Sequence, residues 1–207
     1  MDDPGKRRDL AMAMNLLHRR LCSSQRWANS VRDGLLPWAL ADVELGSRTL
    51  EIGPGYGATT RVLVEQAEDL TAVEVDQVMA EQLQQRFAGR AHIVHADGTA
   101  TGLPDDHFTS VVCFTMLHHV PTSAMQDRLL AEAYRVLAPG GVFAGSDSLS
   151  SLPFRLIHLG DICNPLSPSG LSAKLRTAGF DDITVEVSGS RQRWRARKTP
   201  TGATRRH

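Results

Sequence analysis

Three acidic residues and a histidine pair carry most of the chemistry this chain could do. Glu51 stands just before three glycines and a proline in LEIGPGYG (Leu50–Gly57), Glu74 ends the apolar run of AVEVD (Ala72–Asp76), and Asp97 precedes a glycine in HADG (His95–Gly98). Carboxylates of this kind accept hydrogen bonds from hydroxyls and amines. Glycines that lead into a helix let a ligand come close to free backbone amides. His118 and His119, in FTMLHHV (Phe114–Val120), have the proton affinity a general base needs near neutral pH, and Asp147 is a further candidate for the same chemistry.

These residues recur at regular places in an alternating pattern. From Thr49 short β-rich runs alternate with helical ones: TLEI, a helix from about Ala58, TAVEV, a helix over 77–87, HIVH, SVVCF, a helix over 123–137, then GVFAGS. The alternation predicts a parallel sheet with helices on both faces. SPSGLSAKLRTAGF reads as a further helix ended by Gly179, and ITVEV with RQRWRARK as an antiparallel hairpin closing one sheet edge. In such a sheet ligands bind beyond the C-terminal strand ends. That puts Glu51, Glu74, Asp97, His118, His119 and Asp147 on one rim, with the segment containing His158 and Asp161 in the neighbourhood.

The 207 residues divide by expectation into a helical cap over 1–46, a core over 47–199 interrupted by a lid at about 149–168, and a flexible tail over 200–207. Leu10, Met14, Leu17 and Leu21 recur at helical spacing, and the run lacks a cleavage site, so an amphipathic helix is preferred to a signal peptide. A second helix is expected from Ser23 or Ser24, interrupted near Gly34 and Pro37. Lysine plus arginine equals aspartate plus glutamate, 23 each, so the global charge recruits no polyanion. Cys22, Cys113 and Cys163 are odd in number and lack paired spacing, which fits reduced thiols in a cytoplasmic protein. No segment is long enough to span a bilayer.

Gly53, Gly55 and Ala58 satisfy the relaxed dinucleotide fingerprint, which a nicotinamide and an adenosyl cofactor share. As an ordered set, however, LEIGPGYG, AVEVD and HADG resemble class I S-adenosylmethionine-dependent methyltransferases, and EAYRVLAPGG (Glu132–Gly141) resembles a helix-to-strand signature of their small-molecule members, the type 11-like group. The resemblance implies a Rossmann-like doubly wound α/β fold with seven strands, mostly parallel with an antiparallel C-terminal strand. It also implies S-adenosyl-L-methionine as cofactor and S-adenosyl-L-homocysteine as product. Carried over by position, Gly53, Gly55 and Gly57 wrap the amino-acid end of the cofactor, and Glu51 orders that loop or the ammonium. Glu74 takes the ribose hydroxyls, and Asp97 with Gly98 reads the adenine edge. Pro54, Tyr56, Val75, Phe114 and Thr115 complete the expected lining. A diphosphate would bring negative charge beside Glu51, which disfavours the nicotinamide alternative.

The first motifs are also close to ribosomal RNA adenine dimethyltransferases, but FTMLHHV lacks the Asn/Asp-Pro-Pro/Leu-Tyr clamp those enzymes carry after the fourth strand. The expected acceptor is therefore a small molecule, apolar or aromatic, methylated at oxygen, with His119 or His118 as base. Nucleic acid is not expected as a partner. A histidine there can instead shape the loop through backbone hydrogen bonds, and two alternatives stay open, an enzyme like the rRNA adenine N6-methyltransferases and a cofactor-binding regulator without turnover. So does a homodimer. Magnesium prefers oxygen ligands, and with His118, His119, Asp147 and Asp161 the carboxylates are too scattered, so no metal is expected. Where the family pattern has Phe-Asp before the fourth strand, this chain has Phe108, Thr109 and Ser110, which is expected to weaken a tie to the neighbouring strand. The arginines at alternate positions around Trp194 are expected on one face of a solvated edge strand.

Overall fold

The structure is a computed structural model that describes residues 15–200. Leu10 and Met14 of the first predicted helix, and nearly all of the predicted tail, lie outside the described residues. Seven strands form one sheet: β1 (Arg48–Ile52), β2 (Asp69–Glu74), β3 (His92–His95), β4 (Phe108–Phe114), β5 (Leu137–Ser148), β6 (Asp181–Ser188) and β7 (Arg191–Arg197). Their spatial order is β3-β2-β1-β4-β5-β7-β6. All neighbours from β3 to β5 run parallel, and β7 runs antiparallel to both β5 and β6. The strand order reverses between β1 and β4, where Leu50 pairs Val111 and Glu51 pairs Val112. That crevice is where a ligand of a doubly wound sheet is expected.

Side-chain alternation along the strands builds a core on each face. Leu50, Ile52, Val111 and Cys113 point toward α6 (Ser123–Val136) and α8 (Pro168–Ala178), which contribute Leu129, Leu130, Ala133, Leu171 and Leu175. On the other face Val112 and Phe114 meet α4 (Thr60–Leu63) and the N-terminal helices, while Ala72 meets α5 (Gln77–Arg86). Those N-terminal helices are α1 (Leu16–Cys22), α2 (Gln25–Ser30), a π turn over Val31–Leu35 and α3 (Leu36–Ala39). Ser24 caps α2 by accepting from the Trp27 amide, and Pro37 is the second residue of α3, directly after the π turn. Gly34 falls in the π turn, so the predicted interruption is a change of winding within a continuous helical path. Among the described residues no helix is long and apolar enough to cross a membrane.

Two expectations are corrected. β7 is an inner strand and β6 is the edge, because the hairpin inserts its second strand against β5. Gln192, Trp194 and Ala196 are buried there, while Arg193 faces Glu186 and Asp42 at 2.8 and 3.0 Å, so the arginine face is paired with acid. The tie before β4 is also kept by hydroxyls. Thr109 Oγ1 accepts from the Arg48 amide at 3.0 Å and donates to the Arg48 carbonyl at 2.9 Å, and Ser110 Oγ accepts from the Gly46 amide at 2.9 Å.

Candidate active site

The loop after β1 is shaped by glycines that nothing larger could replace. Gly53 has φ +72°, and a Cβ there would stand 2.4 Å from Met116 Cγ; Gly57 has φ +73°, with Leu83 Cδ2 at 2.7 Å from the same imaginary atom. Two buried carboxylates brace this loop from behind. Glu74 accepts from the Gly55 and Asp76 amides, both at 3.0 Å, and burial pushes its carboxyl upward. Glu51 accepts from the Thr59 and Thr60 hydroxyls, the latter at 2.7 Å, and burial, with Glu74 a lesser cause, pushes it up to about 7. Asp97 is exposed, and its Oδ1 accepts from the Thr99 amide at 2.8 Å.

Two cavities meet at Gly53, Met116 and His119. The first, of about 110 Å³, has Glu74, Val75, Asp97 and Gly98 at its rim and Ile52 and Leu129 on its floor. The second, of about 190 Å³, has Pro54, Gly55, Tyr56, Phe114 and Thr115 along one wall and histidines along the other. Of the predicted site residues, Glu51, Gly57 and Asp147 line neither cavity and act from behind it. Thr115 sits at the switch point with φ +50°, a costly conformation for a β-branched residue, and its amide donates to the Ser146 carbonyl at 2.8 Å.

Four histidines gather at the second cavity: His18 from α1, His118 and His119 from the 3₁₀ turn after β4, and His158 at the end of α7 (Leu152–Ile157). His118 Nδ1 is held by Asp147, which also accepts from the His118 amide at 2.9 Å. His119 Nδ1 meets the Ile162 carbonyl at 3.3 Å, His158 Nδ1 the Phe154 carbonyl at 2.7 Å, and His18 Nδ1 the Asp161 carboxylate at 2.9 Å. Burial, with the three neighbouring imidazoles, pushes His119 down to about 2, and burial also lowers His158. His118 Nε2 and His158 Nε2 are buried without a hydrogen-bond partner. Sequence reasoning placed His158 only in the neighbourhood and missed His18, whose position in an arginine-flanked amphipathic run carries no local signal.

The donor set of the first cavity suits an adenosyl group: carboxylates for hydroxyls and an amine, an apolar floor for a flat base, and no lysine or arginine for a phosphate. A family profile described as "Methyltransferase domain" matches residues 50–145. "Ribosomal RNA small subunit methyltransferase A" of Parasynechococcus marenigrum is 33% identical over 105 residues, which cover 49% of this chain and 35% of that protein. A protein of Mycolicibacterium smegmatis, named as a probable S-adenosylmethionine-dependent methyltransferase, is 29% identical over 144 residues, covering 66% of this chain and 52% of its own. The chain thus spans roughly a third to a half of the length of these curated relatives. The crystal structure of an S-adenosylmethionine-dependent methyltransferase of Thermotoga maritima superposes with a TM-score of 0.69 at 21% identity, over 88% of this chain and 98% of that one, a likeness of fold. The matched domain over residues 50–145, the ordered motifs and the shared fold support membership of the class I S-adenosylmethionine-dependent methyltransferase superfamily, and with it S-adenosylmethionine as cofactor.

Proposed function

We propose that the protein transfers a methyl group from S-adenosylmethionine to a hydroxyl oxygen of a small, largely apolar acceptor. The observation that carries this reading is the His118–Asp147 pair, with a buried and unpartnered Nε2 on the wall of the cavity that also holds the glycine loop. Glu74 and Asp97 would hold the ribose and adenine in the first cavity, and the Gly53–Gly55 backbone the amino-acid end at the junction. The bound cofactor supplies a methyl group on a sulfonium, electrophilic enough that alignment and dryness are the protein's main tasks. His118 Nε2 would take the acceptor's hydroxyl proton, while Asp147 fixes the ring with its proton on Nδ1. His119, neutral and of low basicity, suits this role less. Trp27, Phe154 and Ile157 give the acceptor an apolar surround.

The likeness to ribosomal RNA methyltransferases favours a second reading, methylation of an adenine amine. Two features weigh against it: Thr115, Met116 and Leu117 stand where such enzymes carry their base clamp, and Arg193, Arg195 and Arg197 of β7 are engaged by Glu186, Asp42 and Asp182. The three cysteines are free, which is consistent with a cytoplasmic protein. The first experiment is calorimetric titration with S-adenosylhomocysteine beside NADH, repeated on Glu74→Ala. Micromolar binding of the first ligand alone, lost in the variant, is expected, followed by methyl transfer to phenolic or alcoholic acceptors that His118→Gln slows about 100-fold or more in kcat. NADH binding in its place would overturn the reading.

A further inference from the structure

The histidine cluster asks for something the methyl-transfer reading does not supply. Each of the four rings spends Nδ1 on an acceptor-only partner: the carboxylates of Asp161 and Asp147 for His18 and His118, and the carbonyls of Ile162 and Phe154 for His119 and His158. Nδ1 therefore carries the proton in the neutral rings, and Nε2 is left as a bare lone pair. No described residue donates to any of these Nε2 atoms, and those of His118 and His158 are fully buried. Clustered imidazoles with buried lone pairs and no donor to meet them are an environment a cation stabilises.

We propose that His18, His119 and His158 form a binding site for a divalent transition-metal ion, zinc being the reference case. These three are buried, and each offers a ligand atom within 4.8 Å of the other two. Three nitrogens at about 2.0–2.1 Å from one ion lie roughly 3.3 Å apart, so the nitrogens close by up to about 1.5 Å on loading. The rings already stand in contact: His18 and His158 centroids are 4.4 Å apart, and His18 and His119 are 5.1 Å apart. Their outer partners follow the second-shell pattern of metal-bound imidazole, with the far nitrogen held by a carboxylate or a carbonyl. An all-nitrogen set selects zinc, cobalt, nickel or ferrous iron over magnesium or calcium, which take oxygen ligands. No metal of any kind is expected from the sequence, a reading argued from magnesium and scattered carboxylates, and the proposal departs from it by turning on imidazole nitrogens.

Three protein ligands leave a coordination position free, and all three line the second cavity. An ion there would tie α1, the turn after β4 and the lid together, and could receive an oxygen of whatever enters the cavity. His118 stays outside the ligand set and remains free to accept a proton. The metal site stands on its own geometry and does not require the methyl-transfer reading.

The test uses the tag-free full chain, stripped with chelator and titrated with Co²⁺ alone under visible spectroscopy, then with Zn²⁺ in competition, with bound metal counted after equilibrium dialysis. One equivalent of Co²⁺ displaced by Zn²⁺, with no displacement by excess Mg²⁺, is expected. Asp161→Asn, which changes one outer atom, should weaken binding 10–100-fold, and His18→Gln and His158→Gln by at least as much. His92→Gln, at an exposed histidine of β3 outside the cluster, should leave binding unchanged. Circular dichroism and S-adenosylhomocysteine binding on the same samples separate loss of the site from loss of the fold or of the cofactor pocket. Absence of stoichiometric Co²⁺ and Zn²⁺ from the native chain would overturn the proposal, as would binding that persists at full strength in folded Asp161→Asn and His158→Gln.

Discussion

Glu51 is 1% exposed and its carboxyl is pushed up to about 7, so below that pH it is mostly neutral in the free protein. A cofactor that carries an ammonium and a sulfonium beside the Gly53–Gly57 loop favours the ionised carboxylate, so its binding expels a proton. Affinity for S-adenosylmethionine should therefore fall as pH drops below about 7, by up to about tenfold per unit. Calorimetry in two buffers of different ionisation enthalpy reads the released proton, and Glu51→Gln should abolish both effects; pH-independent binding in the native chain would sink the idea. Stability follows the same sign. An acid whose folded pKa is raised is stabilising below its unfolded value near 4.5, and that contribution is lost as pH rises through about 7. Glu51→Gln should therefore raise stability above pH 7, on the order of 1 kcal/mol. Glu51, Glu74 and the glycines were legible in the sequence because a short motif fixes both their types and their spacing. His18 was not, since its partner Asp161 lies 143 residues away and neither residue sits in a motif.

At the scale of elements, the packing of β5 between β4 and β7 depends on Gly145. A Cβ there would stand 2.1 Å from the Cys113 carbonyl oxygen and 2.4 Å from Trp194, and neither the neighbouring backbone nor a buried indole can yield. Gly145→Ala should cost about 3 kcal/mol, seen as an earlier midpoint in urea at unchanged slope. The helix-to-strand signature has an equally local cause. Glu132 accepts from the Thr101 amide and hydroxyl at 2.7 and 2.6 Å and pairs with Arg135, which holds its carboxyl down at about 2. A carboxyl depressed in this way stabilises the fold above its unfolded value near 4.5 and loses that contribution as pH falls toward 2. Glu132→Gln should then cost about 1–2 kcal/mol at pH 7, with the gap to the native chain narrowing below pH 4 in thermal melts. The strands β1 to β5 were readable because parallel strands buried on both faces are apolar runs separated by helices. The place of β7 was not read correctly, although its buried Gln192, Trp194 and Ala196 alternate with arginines. Period-two patterning tells which residues share a face, and it does not tell which strand of a hairpin lies inward.

For the whole molecule, the segments that no motif describes are the ones that close the site. Asn15 caps α1 by accepting from the His18 amide at 2.9 Å, and its Nδ2 donates to the Ile157 carbonyl at 2.7 Å, while its own amide donates to Asp161 at 2.6 Å. Arg19 reaches the Tyr56 hydroxyl at 3.3 Å, and the Asn164 amide donates to the His118 carbonyl at 2.6 Å. The N-terminal helices, the segment over 149–168, the glycine loop and the histidine turn are thus joined beside one cavity, and a ligand that enters between them must part some of these links. Hydrogen bonds of this kind contribute about 1 kcal/mol each, so losing two or three should raise the opening rate by roughly one to two orders of magnitude. Asn15→Ala removes the cap and the side-chain links to Ile157, Leu159 and the Asp161 carboxylate, while leaving every histidine and carboxylate side chain in place. It should speed dissociation of S-adenosylhomocysteine about tenfold, in stopped-flow experiments that follow the fluorescence of Trp27 on the cavity wall, and expose the segment around Arg155 to trypsin. An unchanged release rate would mean that the ligand passes through the mouth bounded by Asp97 and Val75, with cap and lid serving the acceptor alone.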